Sequence, residues 1–189
     1  CGINAQQLES LKILKIKHDS IETQLKLKYQ EEIKGKSESE ISEIYYQNLL
    51  SRSKNNRERL DHYFSAVQTF LETQKLIGPS QEAAQQEIPD KTANYSQGFP
   101  ALYKEVHDFI KNQYQDRLDE YFTKSAKIHF IVQNDHSLYI EKVEGAEKEF
   151  NDLALLAFLM TTGKWESAFQ RGMNVKSKFV LPVKFVVEE

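Results

Sequence analysis

A chain of 189 residues, 40% of them hydrophobic, is long enough for one large domain or two small ones and has enough apolar side chain for a packed core, which excludes wholesale disorder. Charged residues make up 28% of the chain and sum to a net charge of −3, so neither a basic nucleic-acid surface nor an acidic solvating tail is indicated. No stretch approaches the roughly 18 apolar residues that a membrane-spanning helix needs, and the longest apolar run, 153–160, suits a buried helix.

The sequence opens on Cys1-Gly2, as a bacterial lipoprotein does once its signal has been cut and a lipid attached to the new terminal cysteine. Polar, helix-prone residues follow, which fits that reading. Cys1 is therefore a candidate lipidation site, and the expected location is the bacterial cell envelope, lipid-anchored and facing the periplasm or the cell surface. As the only cysteine, Cys1 can form no internal disulfide.

Residues 5–34 read as a helix, with Leu8, Leu11, Leu14, His18, Ile21 and Leu25 recurring at steps of three and four. Gly35 suits the end of that helix, and Ser37 with Glu40 has capping-box spacing for the next. The second helix is expected over 38–76, with Ile41, Tyr45, Leu49, Leu60, Phe64, Val67 and Leu71 inward. Its polar middle, 51–59, invites a bend or a break. A short turn between two long amphipathic helices makes them antiparallel neighbours, so residues 1–77 read as a helical hairpin. His18 on the apolar stripe is better explained as a core or boundary histidine than as a metal ligand, because no second cluster completes a site. Residues 78–98, rich in Gln, Ala, Pro and Ser, read as a linker.

Beyond it the character changes. Residues 103–121 carry Tyr103, Val106, Phe109, Ile110, Tyr114 and Leu118 at helical spacing. Residues 126–132 alternate and are β-branched, Asn134-Asp135-His136-Ser137 supplies a turn, and 138–143 reads as a second strand. A helix over 147–160 follows, then Trp165 in a loop that ends at Arg171-Gly172. The final strand, 175–187, carries Pro182, which donates no ladder hydrogen bond and so points to an edge or a bulge. The expected fold class is α+β: the helical hairpin, then a domain at 99–189 with a three-stranded antiparallel sheet and helices on one face.

The order and spacing of Asp135, Gly145, Ala154, Leu155, Trp165, Gly172 and the run Phe179, Pro182, Val183, Phe185 resemble the TonB C-terminal domain, over about residues 95–189. Phe99-Pro100 and the helix containing Phe109 and Ile110 resemble that family's lead-in. Two departures stand out. The family commonly has Gly where His136 follows the turn Asp, and often a proline where Ser167 stands two positions after the Trp. A TonB energy transducer also needs an inner-membrane helix and a proline-rich spanner, and neither appears in these residues.

Chemistry is harder to find. The single Cys is terminal, no Gly-x-Ser-x-Gly elbow or phosphate-cradling loop occurs, and the five histidines are scattered, so no catalytic residue, metal site or cofactor is assigned. His129 and His136, with Asp135 between them in sequence, could meet at the hairpin end, but exposed hairpin tips are ordinarily just solvated. Trp165 is either an exposed recognition residue or, more commonly for such a Trp, a cover for the end of a small sheet.

The expectation is thus a non-catalytic envelope binding protein. The resemblance implies capture of an extended segment from a protein or peptide partner, such as an outer-membrane transporter, by strand addition. The expected edge residues are Lys176, Lys178, Phe179, Val180, Pro182, Lys184 and Phe185. Nucleic acid is not an expected partner, and membrane contact is expected only through a lipid on Cys1. The alternative is a structural protein whose Leu8–Leu25 and Ile41–Leu71 faces pair between subunits as a homodimer.

Overall fold

The computed structural model describes residues 3–79, 89–114 and 122–187, with side chains described from residue 9 in the first helix and from residue 123 in the strand that begins at 122. Cys1, and with it the lipidation expectation, lies outside the described residues. None of the described helices is long and apolar enough to cross a membrane.

Two helices come first, α1 (Ile3–Glu32) and α2 (Glu38–Ile77). Gly35 makes the turn between them at φ 70°, a conformation that needs no Cβ. The capping box forms as expected: the N–H and the hydroxyl of Ser37 both donate to Glu40 Oε2, at 3.0 and 2.8 Å. The helices run antiparallel. Tyr29 meets Tyr45 edge-on near the turn, Asn48 Nδ2 donates to the Leu25 carbonyl, and Arg52 Nε donates to Glu22 at 2.7 Å.

These contacts also correct one expectation. The polar stretch 51–59 does not break α2, and two of its polar residues, Arg52 and Asn55, find partners on α1. Asn55 reaches His18, and Arg52 reaches Glu22. Periodicity of apolar residues alone could not show that, since this seam is held partly by hydrogen bonds. Of the stripes expected to face inward, Leu11 and Val67 are buried, whereas Tyr45 and Leu49 are 51% and 40% exposed.

The chain divides into two compact units, one made of Glu9–Gln68 and the other of Thr69–Glu189 with Cys1–Leu8. The division falls inside α2, before the expected linker. That linker is in part ordered structure of the second unit. Within it, β1 (Asn94–Tyr95) pairs with β4 (Trp165–Glu166), and Lys91 bridges to Phe169.

The second unit continues with α3 (Phe99–Gln113), which starts four residues earlier than the apolar spacing predicts. Pro100 in its first turn explains the early start, since proline fixes a helical φ where no N–H is needed. Residues 115–121 of the expected helix lie outside the described residues. Then come β2 (Phe122–Val132), β3 (Leu138–Gly145), α4 (Lys148–Leu159), the hairpin of β5 (Ala168–Gln170) and β6 (Met173–Val175), and β7 (Ser177–Val187).

The main sheet has the order β3-β2-β7, antiparallel throughout. Helices α3 and α4 pack on each other and on the sheet, α4 over β2 and β3 and α3 over β7. Ala126, Ile128, Phe130 and Val132 alternate along β2 and are buried, as are Leu181, Val183 and Phe185 on β7, and α4 is buried from Leu153 to Leu159. A fully buried Phe or Leu contributes about 1.5–3 kcal/mol. The fold is the expected α+β arrangement, with a helical hairpin followed by a three-stranded antiparallel sheet and helices.

Candidate functional site

A sheet of three strands has two edges, and here they differ. β7 lies at one edge and pairs only with β2 among the described residues. Its ladder to β2 is unbroken from Phe122↔Val187 to Val132↔Ser177, with Pro182 opposite Lys127. Because proline has no N–H to give, an unbroken antiparallel ladder through Pro182 requires its nitrogen to face away from β2. Backbone groups alternate along a strand. The groups of residues 178, 180, 182, 184 and 186 therefore face away from β2, and those of the odd-numbered residues bond to it.

Side chains alternate in step. Leu181, Val183 and Phe185 are buried under the helices, while Lys178, Val180, Pro182 and Lys184 are exposed on the opposite face. Of the seven expected edge residues, these last four stand on the outward set. Phe179 and Phe185 point into the core, where Phe185 stacks on Tyr114 and Phe179 on Phe130. Lys176 lies between β6 and β7, before the strand begins. Lys178 is ion-paired to Glu141 at 2.7 Å.

The β3 edge is closed at its centre. Ile140 donates its N–H to Gln74 Oε1 at 2.9 Å, and its carbonyl accepts from Gln74 Nε2 at 2.6 Å. The Gln74 amide, 2% exposed, thus reproduces the two hydrogen bonds that a neighbouring strand would make. Register explains why Ile140 is reached. Between His129 and Phe130 the pairing jumps from Lys142 to Ile140, leaving Glu141 as an extra, bulged residue that bends β3 there. Sequence reading missed Gln74 because a lone glutamine near a helix end has no pattern to mark it.

Trp165 is buried, as the commoner of its two readings had it. Its ring sits among Tyr95, Phe99, Phe130, Phe158 and Phe179, with centroids 5.1–6.2 Å away. Below it, Tyr95 is wholly buried. Its hydroxyl donates to Glu105 at 2.8 Å and accepts from the Gly163 N–H at 2.6 Å. The other Glu105 oxygen accepts from the N–H and hydroxyl of Thr162. Burial, then the Glu105 bond, pushes the Tyr95 phenol above its ordinary range. Gly163 is required here, since a Cβ would stand 2.3 Å from the Tyr95 ring. None of this network was expected from the sequence.

The histidines do not assemble a centre. His129 bonds to Glu144 at 2.9 Å, whereas His136 turns to Ser167, so the two do not converge. In the hairpin unit His18 is buried. Asn55 Nδ2 donates to the His18 carbonyl, which turns the Asn55 oxygen toward the ring and assigns the proton to His18 Nδ1, at 2.8 Å. His18 Nε2 lies within hydrogen-bond distance of His62 Nδ1, at 3.0 Å. Among the described residues no group of three His, Cys, Asp or Glu is placed to hold a metal ion.

Comparison with protein-family models, with curated proteins and with solved structures found no match in any of the three.

Proposed function

We propose that the second unit is a strand-capturing module of the bacterial cell envelope, with β7 as its acceptor edge. The observation that carries this is the asymmetry of the sheet. Gln74 occupies the β3 edge at Ile140, while β7 turns the backbone groups of 178, 180, 184 and 186 outward with no strand beside them among the described residues. The resemblance to the TonB C-terminal domain supports the same reading and suggests the partner class, an extended segment of an outer-membrane transporter. In this reading the protein binds and does not catalyse.

The edge has selectivity built into it. Lysine and proline on an edge strand discourage indiscriminate pairing, because a lysine must be neutralised and a proline offers no donor. A captured strand must therefore bond on both sides of Pro182 and carry an acidic side chain near Lys184 on the exposed face. A lipid on Cys1 would supply the membrane contact, and the mass of the N-terminal peptide from native protein reads it directly.

The test uses proline again. Val180→Pro removes one outward N–H and leaves the β2 ladder intact, as Pro182 already does. Synthetic N-terminal segments of outer-membrane transporters are titrated by fluorescence anisotropy. Micromolar binding to the wild type, at least tenfold weaker in Val180→Pro with unchanged circular dichroism, is expected. Absence of binding by every segment, or equal binding by the variant, refutes capture at β7.

A further inference from the structure

Helix α1 has a second apolar seam. Its first, with Leu11, His18 and Leu25, faces α2. The second is made of Ile13, Ile16, Ser20, Thr23 and Leu27, which follow one another at steps of 3, 4, 3 and 4 and are all exposed. At about 100° per residue these five lie on the side of α1 opposite the α2 face. Ile13 is 60% exposed, Ile16 69% and Leu27 57%, although a helix in a simple hairpin needs only one apolar face. No charged residue stands within the seam. Its spacing is that of a coiled-coil interface, with residues 13, 20 and 27 in one core position and 16 and 23 in the other.

The flanking charges decide what fits against it. One flank carries Lys12, Asp19 and Lys26, the other Lys17, Gln24 and Glu31. Consider a second copy of α1. In a parallel, in-register pair Lys26 would face Glu31 of the other copy, but Lys12 would face Lys17, each twice. In an antiparallel pair that sets Ile16 against Ser20, Asp19 would face Asp19, Lys17 would face Lys17, and Lys12 would face Lys26. In the antiparallel register that sets Ile16 against Leu27 and Ser20 against Thr23, Asp19 faces Lys26 twice and Lys17 faces Gln24. No like charges then meet. Like charges across such an interface oppose association and unlike ones favour it. The register that sets Ile13 against Ile16 also pairs unlike charges, Lys12 with Asp19, but it puts Glu9 against Ser20 in the core, whereas Ile16 against Leu27 keeps charge out of these core positions. The small Ser20 and Thr23 fall at its centre and let the two helices approach.

We infer that this chain self-associates through the outer seam of α1, as an antiparallel two-fold pair with Ile16 of each copy packed on Leu27 of the other. The interface is independent of strand capture by β7. It also differs from pairing through the Leu11–Leu25 face, which α2 already occupies. A two-fold axis beside residues 21 and 22 closes the assembly at two copies.

Sedimentation of the full chain over a concentration range tests this. A reversible dimer is expected at micromolar concentration. Ile16→Glu should make it monomeric with unchanged helix content. Asp19→Lys and Lys26→Asp should each weaken the dimer at least tenfold, and the double substitution Asp19→Lys/Lys26→Asp should restore it, since the charges are exchanged rather than removed. A wild-type chain that stays monomeric at several hundred micromolar overturns the inference. So does a dimer that Ile16→Glu leaves intact, or one that the charge exchange fails to restore. A peptide-binding defect in Val180→Pro would leave these results unchanged, so the two readings fail separately.

Discussion

His136 holds φ 68°, in the left-handed region where a Cβ costs about 1–2 kcal/mol and glycine is the usual occupant. Its ring Nδ1 accepts from the Ser167 N–H at 3.0 Å, and its own N–H donates to Ser167 Oγ at 3.2 Å. Asp135 Oδ1 fixes the turn by accepting from the Ser137 N–H. Both departures from the TonB-like pattern, at 136 and 167, therefore touch each other. A proline at 167 could not offer the N–H that His136 uses. The expected outcome is non-additive. His136→Gly should be close to neutral, relief of the left-handed backbone offsetting a lost hydrogen bond of about 1 kcal/mol. His136→Ala should cost about 1–2 kcal/mol. Ser167→Pro should cost less in the His136→Gly background than alone, by at least about 0.5 kcal/mol in urea unfolding. Strict additivity would show that the two positions are unrelated.

At the scale of elements, the start of α2 carries a pH dependence. The Ser37 backbone N–H, then its hydroxyl, then Lys36 hold the Glu40 carboxyl down to about 2. A depressed carboxylate stabilises the helix start above its ordinary value near 4.5 and loses that contribution as pH falls toward 2. Carboxyl NMR should place the Glu40 midpoint near 2, and Glu40→Gln should abolish the loss of helix-start protection between pH 4.5 and 2. A midpoint near 4.5 would mean the box does not form in solution. This box was legible in the sequence because it is local, four residues with one geometry. The strands were legible for the same reason, as alternation at 126–132 is a short-range signal. The continuity of α2 through 51–59 was not, because Arg52 and Asn55 find partners some 30 residues or more away in the chain. Two-residue strands such as β1 and β4 carry too few side chains to leave a period. For the candidate site, the chemistry of Pro182 was enough to signal an edge. Only the strand register showed which residues of β7 face outward and that Phe179 and Phe185 belong to the core.

For the whole molecule, Gln74 matters beyond its own hydrogen bonds. Gln74→Leu would leave the Ile140 N–H and carbonyl buried without partners, at about 1–3 kcal/mol each. Amide exchange at Ile140 should then accelerate and the denaturation midpoint fall. Unchanged exchange would mean that other groups close this edge. The deeper consequence concerns valency. A sheet with two receptive edges can hand strands along from molecule to molecule without end, whereas one receptive edge terminates the chain. With Gln74 in place, the β3 edge of one copy cannot pair at Ile140 with the β7 edge of the next, so edge-to-edge growth between copies is blocked there. Opening the Ile140 edge should leave both edges of the sheet receptive and let copies join edge to edge into polymers.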